Sequence, residues 1–204
     1  MGLTMPANDG VEFELCPQGN HLAVCSHVID LGTQKSTYEG KEKLQHKIWI
    51  GWETPGELRE DGTRFLIGKR YTFSSHEKAI LRKDLESWRN KRFVDSDFGP
   101  GGFEITNILG AACLLSVVHS AGEKVYANIT GVGSLPKGTE RPELVGPKVH
   151  LSLDPDEFSV TVFDALPEWM QKTIAASPEY QEIARVDGLW NPHEETEVDP
   201  EIPF

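Results

Sequence analysis

The stretch "KLQHKIWIGW", residues 43–52, alternates apolar and polar side chains along its length. In an extended strand, successive side chains point to opposite faces, so the alternation assigns each residue to one of two faces. The face predicted to be buried holds Leu44, His46, Ile48 and Ile50. The opposite face carries Lys43, Gln45, Lys47 and Trp49, and Trp52 lies just past its end. This pattern predicts a strand with one face in a core.

The segments around this strand predict four more strands. The apolar run "HLAVCSHVIDLG" (21–32) precedes it and ends in turn-forming residues. After it, "TRFLIGKRYTFS" (63–74) is rich in aromatic and β-branched residues, with Gly68 as a candidate bulge. Residues 113–119 and 124–135 predict the last two strands, separated by a tight turn.

One segment in the front half has a helical period instead. Ser74 and Glu77 form an S-x-x-E capping pattern, and an apolar stripe follows. The stripe consists of Ile80, Leu81, Leu85 and Trp88. It predicts a helix over residues 75–92 with Trp88 in the core.

Three strands, a helix and two strands within about 120 residues predict a mainly β fold, a five-stranded OB-fold barrel. We expect this barrel to span residues 21–136, behind residues 1–20, which are predicted to form a flexible leader or a loose edge strand. Residues 137–186 are Pro-rich and predict short helices that begin near Pro167 and Pro178. Residues 187–204 have the acidic, Pro-interrupted composition of a disordered tail.

The charge is distributed unevenly along the chain. The formal net charge is -12, and residues 141–204 hold 4 basic against 14 acidic residues, whereas residues 35–92 hold 14 basic against 9 acidic. A basic region therefore lies within an acidic protein, and an overall negative charge does not exclude an anionic ligand.

Known catalytic motifs are missing from the sequence. It contains no phosphate-binding GxxxxGK[ST] or GxGxxG loop, and no HExxH or GxSxG pattern. The three cysteines lack CxxC spacing, which disfavours a zinc ribbon or a disulfide framework and fits a reducing cytoplasm. We expect no catalysis, cofactor, metal or membrane span, although an enzyme with an unfamiliar site stays open.

Aromatic and basic residues are interleaved on the predicted strands, as in proteins that stack single-stranded bases beside a track of phosphates. The candidate DNA-binding residues are Lys43, Lys47, Trp49, Trp52, Lys69, Arg70, Tyr71, Phe73, Lys124, Tyr126 and Asn128. The alternative for each ring is a place in the barrel core, an alternative that the sequence leaves open.

The chain ends in "EVDPEIPF", residues 197–204. This ending resembles the acidic tip of bacterial single-stranded DNA-binding proteins, which finish in Ile-Pro-Phe and dock genome-maintenance enzymes. The matching positions are Asp199, Glu201, Ile202, Pro203 and Phe204, with Pro200 interrupting the acidic run. The resemblance implies that these residues bind replication or recombination enzymes.

The rest of the chain resembles a different group of single-stranded DNA-binding proteins. Segments such as "VIDLGTQ", "KIWIGWE" and "LPEWMQKTIAASPEYQ" are similar to phage-encoded proteins of the single-stranded DNA-binding or replication-accessory type. Two features of the bacterial family are absent: an ordered-looking segment replaces its long Gly- and Gln-rich linker, and its N-terminal strand pattern is missing. Its tetrameric assembly therefore does not carry over, and a homo-oligomer stays open. Two hypotheses follow: a protein that coats single-stranded DNA, and an OB-fold adaptor that binds only proteins.

Overall fold

The computed structural model describes residues 14–38, 41–122 and 124–186. The predicted tail at 187–204, its docking tip, and residues 1–13 of the predicted leader lie outside this part of the chain. The described residues form a mainly β fold with few helices. The fold class is therefore confirmed at this level.

Six strands form one sheet. They are β1 (Gly19–Tyr38), β2 (Lys41–Leu58), β3 (Arg64–Thr72), β4 (Ala112–His119), β5 (Ala127–Gly133) and β6 (Val149–Leu151). Five of them pair antiparallel in the order β3-β2-β1-β4-β5, and β6 pairs parallel with β1. The sequence predicted the five antiparallel strands, with shorter bounds for β1 and β2, and missed β6.

The sheet is open. No hydrogen-bonded ladder joins β3 to β5 in the part of the chain that the structure describes, although Cα atoms of these two strands approach within 8 Å. The predicted closed barrel is therefore not confirmed. The sheet is strongly bent, so that the strands at its two ends, β3 and β5, lie near each other.

The helices are α1 (Ile80–Arg89), α2 (Val160–Asp164), α3 (Glu168–Ala175) and α4 (Pro178–Val186). Helix α1 lies between β3 and β4, as predicted, but it is shorter than 75–92. The Ser74 hydroxyl accepts a hydrogen bond from the His76 amide within a turn that precedes the helix, so the predicted capping box is wrong. Helices α3 and α4 begin directly after Pro167 and at Pro178, which confirms both predicted starts.

Gly68 does not mark a bulge. It pairs in register with Gly51 across β2 and β3, and the irregularity lies between Thr54 and Leu58. A Cβ on Gly68 would stand 2.0 Å from the Trp49 ring. The glycine is needed because that ring lies flat against the strand.

Two hydrophobic cores share strand β1. The first lies inside the bent sheet and under α1, and includes Cys25, Ile48, Ile50, Phe65, Trp88 and Leu115. The second lies on the outer face of the sheet, where Ile29 and Leu31 of β1 pack with Leu151, Phe163, Ile174 and Ile183. The C-terminal segment therefore covers part of the outer sheet face through residues 149–183.

The described part of the predicted leader belongs to the fold. Cys16 is only 4% exposed, and its carbonyl oxygen accepts a hydrogen bond from the His119 ring at 2.8 Å. Cys16 thus packs in the first core, and Gly19 and Asn20 form the start of β1.

All three cysteines are buried and free. Burial raises the pKa of Cys16 to about 11 and that of Cys25 to about 12, and also raises the pKa of Cys113.

Helix α4 docks onto the β1–β2 hairpin through one carboxylate. Glu179 accepts hydrogen bonds from the Thr33 amide at 2.9 Å and the Thr33 hydroxyl at 2.5 Å. The His46 ring stands between two acids, with Nε2 2.7 Å from Asp30 and Nδ1 3.7 Å from Glu179. The hydrogen bond to Asp30 raises the pKa of His46, and burial only partly opposes it. For Glu179, burial acts to raise the pKa, but the bonds from Thr33 outweigh it and hold the pKa below its usual value.

These two shifts predict how stability depends on pH. A raised His46 pKa stabilises the fold fully below 6.5, and the contribution is lost as pH rises through the folded-state pKa. A lowered Glu179 pKa stabilises it above 4.5, and the contribution is lost at lower pH. We expect the contribution of this cluster to the free energy of unfolding to be greatest between pH 4.5 and 6.5.

Urea unfolding at several pH values checks this expectation. The free energy of unfolding should decrease above pH 6.5 as His46 loses its proton, and His46→Gln should remove this decrease. For such a partly exposed pair it amounts to no more than about 1 kcal/mol. His76→Gln is the matched control, because His76 is exposed and lies before α1. Equal pH profiles for His46→Gln and the unaltered protein would contradict the assignment.

Candidate nucleic-acid interface

A row of polar side chains crosses the outer face of β1, β2 and β3 beside the C-terminal helices. We call it the polar strip: Ser36, Lys43, Gln45, Lys47, Arg70 and Thr72. The cross-strand register pairs Ser36 with Lys43 and Lys47 with Thr72. The Gln45 side-chain oxygen accepts hydrogen bonds from the Ser36 hydroxyl at 3.1 Å and from Lys47 Nζ at 2.7 Å, and Lys47 also donates to the Thr72 hydroxyl at 2.7 Å.

Lys47 and Arg70 are neighbouring positive charges on this strip. Partial burial and then the charge of Arg70 lower the pKa of Lys47. Within the described residues, neither side chain has a carboxylate within 4 Å. Two like charges held together without a counter-ion are an arrangement that an anion would stabilise.

Other cations of the same region are neutralised by acids. Lys69 Nζ lies 2.8 Å from Asp84, and Arg64 Nε lies 3.7 Å from Glu53. Lys69 is one of the predicted DNA-binding residues. Its ammonium group instead forms an ion pair with Asp84 of α1, which neutralises its charge.

An exposed tryptophan stands at the end of the strip. Trp169 of α3 is 46% exposed, and the Arg70 guanidinium lies 5.8 Å from the centre of its ring. Its ring also meets Trp49 at 6.4 Å between centroids and an angle of 73°. Trp49 itself is half-buried against the second core, with its ring edge-on to His27 at 5.9 Å.

Two of the rings that were predicted to stack on DNA bases are buried. Trp52 is 1% exposed and packs against Trp88 in the first core, and Tyr71 is 3% exposed. The Tyr71 hydroxyl donates to Asp84 at 2.8 Å, and burial raises the pKa of that hydroxyl. Neither ring can stack on a base, so these two assignments are corrected in favour of the core alternative.

Phe73 and Lys43 remain at the surface. Phe73 is 48% exposed, with its ring 5.7 Å from that of His46, just past the end of β3. Lys43 is exposed on the far part of the β1–β2 hairpin. Of these two, only Lys43 belongs to the polar strip.

The candidates near β5 lie apart from the polar strip. Lys124, Tyr126 and Asn128 are exposed, and the Asn128 amide donates to the Tyr126 carbonyl oxygen at 3.1 Å. In the order of the sheet, β5 is separated from β2 by β1 and β4. Among the described residues, no hydrogen bond or ring contact joins these three to the polar strip.

No protein-family model matches the chain, and no curated protein matches it. In the described ranges, no group of three His, Cys, Asp or Glu side chains could hold a metal ion. No described helix combines the length and apolar character needed to cross a bilayer. The geometry of the polar strip is therefore the main guide to function.

Proposed function

We propose that the protein binds single-stranded DNA, largely without regard to sequence, along the polar strip. The observation that carries this proposal is the adjacent pair Lys47 and Arg70, neither of which has a carboxylate within 4 Å among the residues that the structure describes. Phosphates attract such a pair, and Lys43 extends the positive charge toward the hairpin. The amide and hydroxyl groups between the cations can bond to phosphate or base edges.

The topology supports the same proposal. An OB-fold is a partly open five-stranded barrel that binds oligonucleotides on the face of its second and third strands. The strand order β3-β2-β1-β4-β5, with α1 between β3 and β4, is compatible with that fold. The polar strip lies on β2 and β3, at the corresponding place. We therefore propose an OB-like sheet that is incompletely closed.

We further propose that the protein serves a phage replication or recombination module in the cytoplasm of a bacterial host. The support is the resemblance of its ending to the docking tip of bacterial single-stranded DNA-binding proteins. Phe204 offers an apolar ring close to the carboxylates of Asp199 and Glu201, a combination that a basic pocket with apolar walls on a partner enzyme can bind. The upstream acids would steer the tip toward such pockets.

A titration of oligo-dT into the full chain at two salt concentrations tests DNA binding. We expect tryptophan quenching and an affinity that falls as salt rises, because phosphate contacts release counter-ions. Deleting residues 197–204 should leave the DNA affinity equal or higher and abolish capture of a replication enzyme. Quenching that is absent, or insensitive to salt, would reject the proposal.

The rival proposal is a protein-binding adaptor without DNA binding of its own. One observation favours it: Trp52 and Tyr71 are buried and Lys69 is neutralised, so the surface has fewer DNA-binding groups than the sequence predicts. The adaptor would bind its partner through residues 199–204 whether or not Lys47 is present. Lys47→Ala therefore separates the two, since it should weaken only a DNA complex.

A further inference from the structure

We propose that Trp169, on helix α3 and outside the sheet, supplies the base-stacking surface of the polar strip. This inference rests on the proposed function and specifies how the same site binds its ligand. The bound strand would lie with phosphates on Lys47 and Arg70 and with an unstacked base on the Trp169 ring. Part of the interface would thus belong to the C-terminal segment.

Exposure sets Trp169 apart from the other tryptophans of the described residues. Trp52 and Trp88 are 1% and 9% exposed, and the Trp49 ring lies between β3 and α3. Of these four tryptophans in the described part of the chain, Trp169 alone presents close to half of its surface to solvent. Its ring is therefore the one with a face open to a nucleic-acid base.

The backbone that carries the ring is anchored by its neighbours on α3. Met170 and Ile174 are 2% and 0% exposed and hold the helix in the second core. The Thr173 hydroxyl donates to the Trp169 carbonyl oxygen at 2.7 Å, so it reinforces the same turn. Little backbone entropy is therefore lost when a base stacks on the ring.

The Arg70 cation and the Trp169 ring are adjacent, as a site that binds a phosphate and stacks the base next to it requires. The Arg70 guanidinium lies 5.8 Å from the Trp169 ring centre, and Arg70 pairs across the strands with Trp49. One nucleotide could therefore place its phosphate on Arg70 while its base covers Trp169. Because a base in a duplex is already stacked, the arrangement favours single-stranded over double-stranded DNA.

The test compares Trp169→Ala, Trp169→Phe and Lys47→Ala/Arg70→Ala in the full chain, each with oligo-dT and with inorganic polyphosphate. We expect Trp169→Ala to bind oligo-dT about tenfold more weakly and Trp169→Phe to retain most of the affinity. Polyphosphate has no bases, so its binding should be unchanged by Trp169→Ala and weakened by the double variant. Quenching by oligo-dT should persist in Trp190→Phe and be lost in Trp169→Phe.

The outcomes distinguish this inference from the proposed function. If the double variant weakens oligo-dT binding while Trp169→Ala binds as tightly as the unaltered protein, the stacking role is rejected and DNA binding stands. If the unaltered protein does not bind oligo-dT, both proposals are rejected. Equal far-ultraviolet circular dichroism of all variants would show that lost affinity is not lost folding.

Discussion

Lys47→Ala/Arg70→Ala should bind oligo-dT about a hundredfold more weakly than the unaltered protein at moderate salt. Each cation is expected to make a charge-assisted contact to phosphate, worth about 1.5 kcal/mol at the lower end of the usual range, or about tenfold in affinity. Partial burial, and after it the charge of Arg70, lowers the pKa of Lys47, so the two cations also repel each other in the free protein. Bound phosphate would relieve that repulsion.

The salt dependence of the oligo-dT affinity gives a second, independent measure of these phosphate contacts. For single strands, the slope of log affinity against log salt falls by about 0.7 for each phosphate contact, so the double variant should lose about 1.4. The matched control is Lys83→Ala/Lys91→Ala, which removes the same charge from exposed positions at α1. If both double variants weakened binding equally, total charge and not the polar strip would control affinity.

Gly32→Ala should destabilise the protein by about 3 kcal/mol. Gly32 has φ +68, a left-handed conformation that costs an alanine about 1–2 kcal/mol. An added Cβ would also stand 2.4 Å from the Ser177 Cβ, at the start of α4, so the helix would have to move. Displacing a packed element costs about 1–3 kcal/mol more.

Urea unfolding and thermal melting measure this loss, which corresponds to a decrease of about 6–12 °C in Tm for a chain of this size. Gly138→Ala is the matched control: its φ is +81, but no atom lies within 4 Å of the added Cβ. It should show only the backbone cost, about 1–2 kcal/mol. Equal losses in both variants would mean that α4 does not pack closely against Gly32.

Alternation in the sequence was sufficient to find the five antiparallel strands and part of the first core, although Leu44, which it places on the buried face, is 67% exposed. Ile48 and Ile50 are buried as the pattern of residues 43–52 predicts. The same alternation places Trp52 on their face, and Tyr71 on the face of Phe65 and Ile67. The core alternative for these two rings could therefore have been favoured from sequence, because residues two apart share a face of a strand.

The outer layer could not be derived in this way. Pro167 and Pro178 indicate where α3 and α4 begin, but no local pattern determines which sheet face a helix covers. One signal was present in β1, whose run at 21–32 is apolar at nearly every position, as is typical of a strand buried on both faces. The stacking role proposed for Trp169 depends on that docking, so the sequence alone did not indicate it.

The buried thiols have a practical consequence for experiments on this protein. Thiol-reactive dyes attack the thiolate, which is scarce when the pKa is about 11 or 12, as for Cys16 and Cys25. Cys113 is fully buried as well. A cysteine introduced at an exposed position, such as Ser87 on α1, should therefore be labelled selectively with a fluorophore while the three native cysteines stay in place.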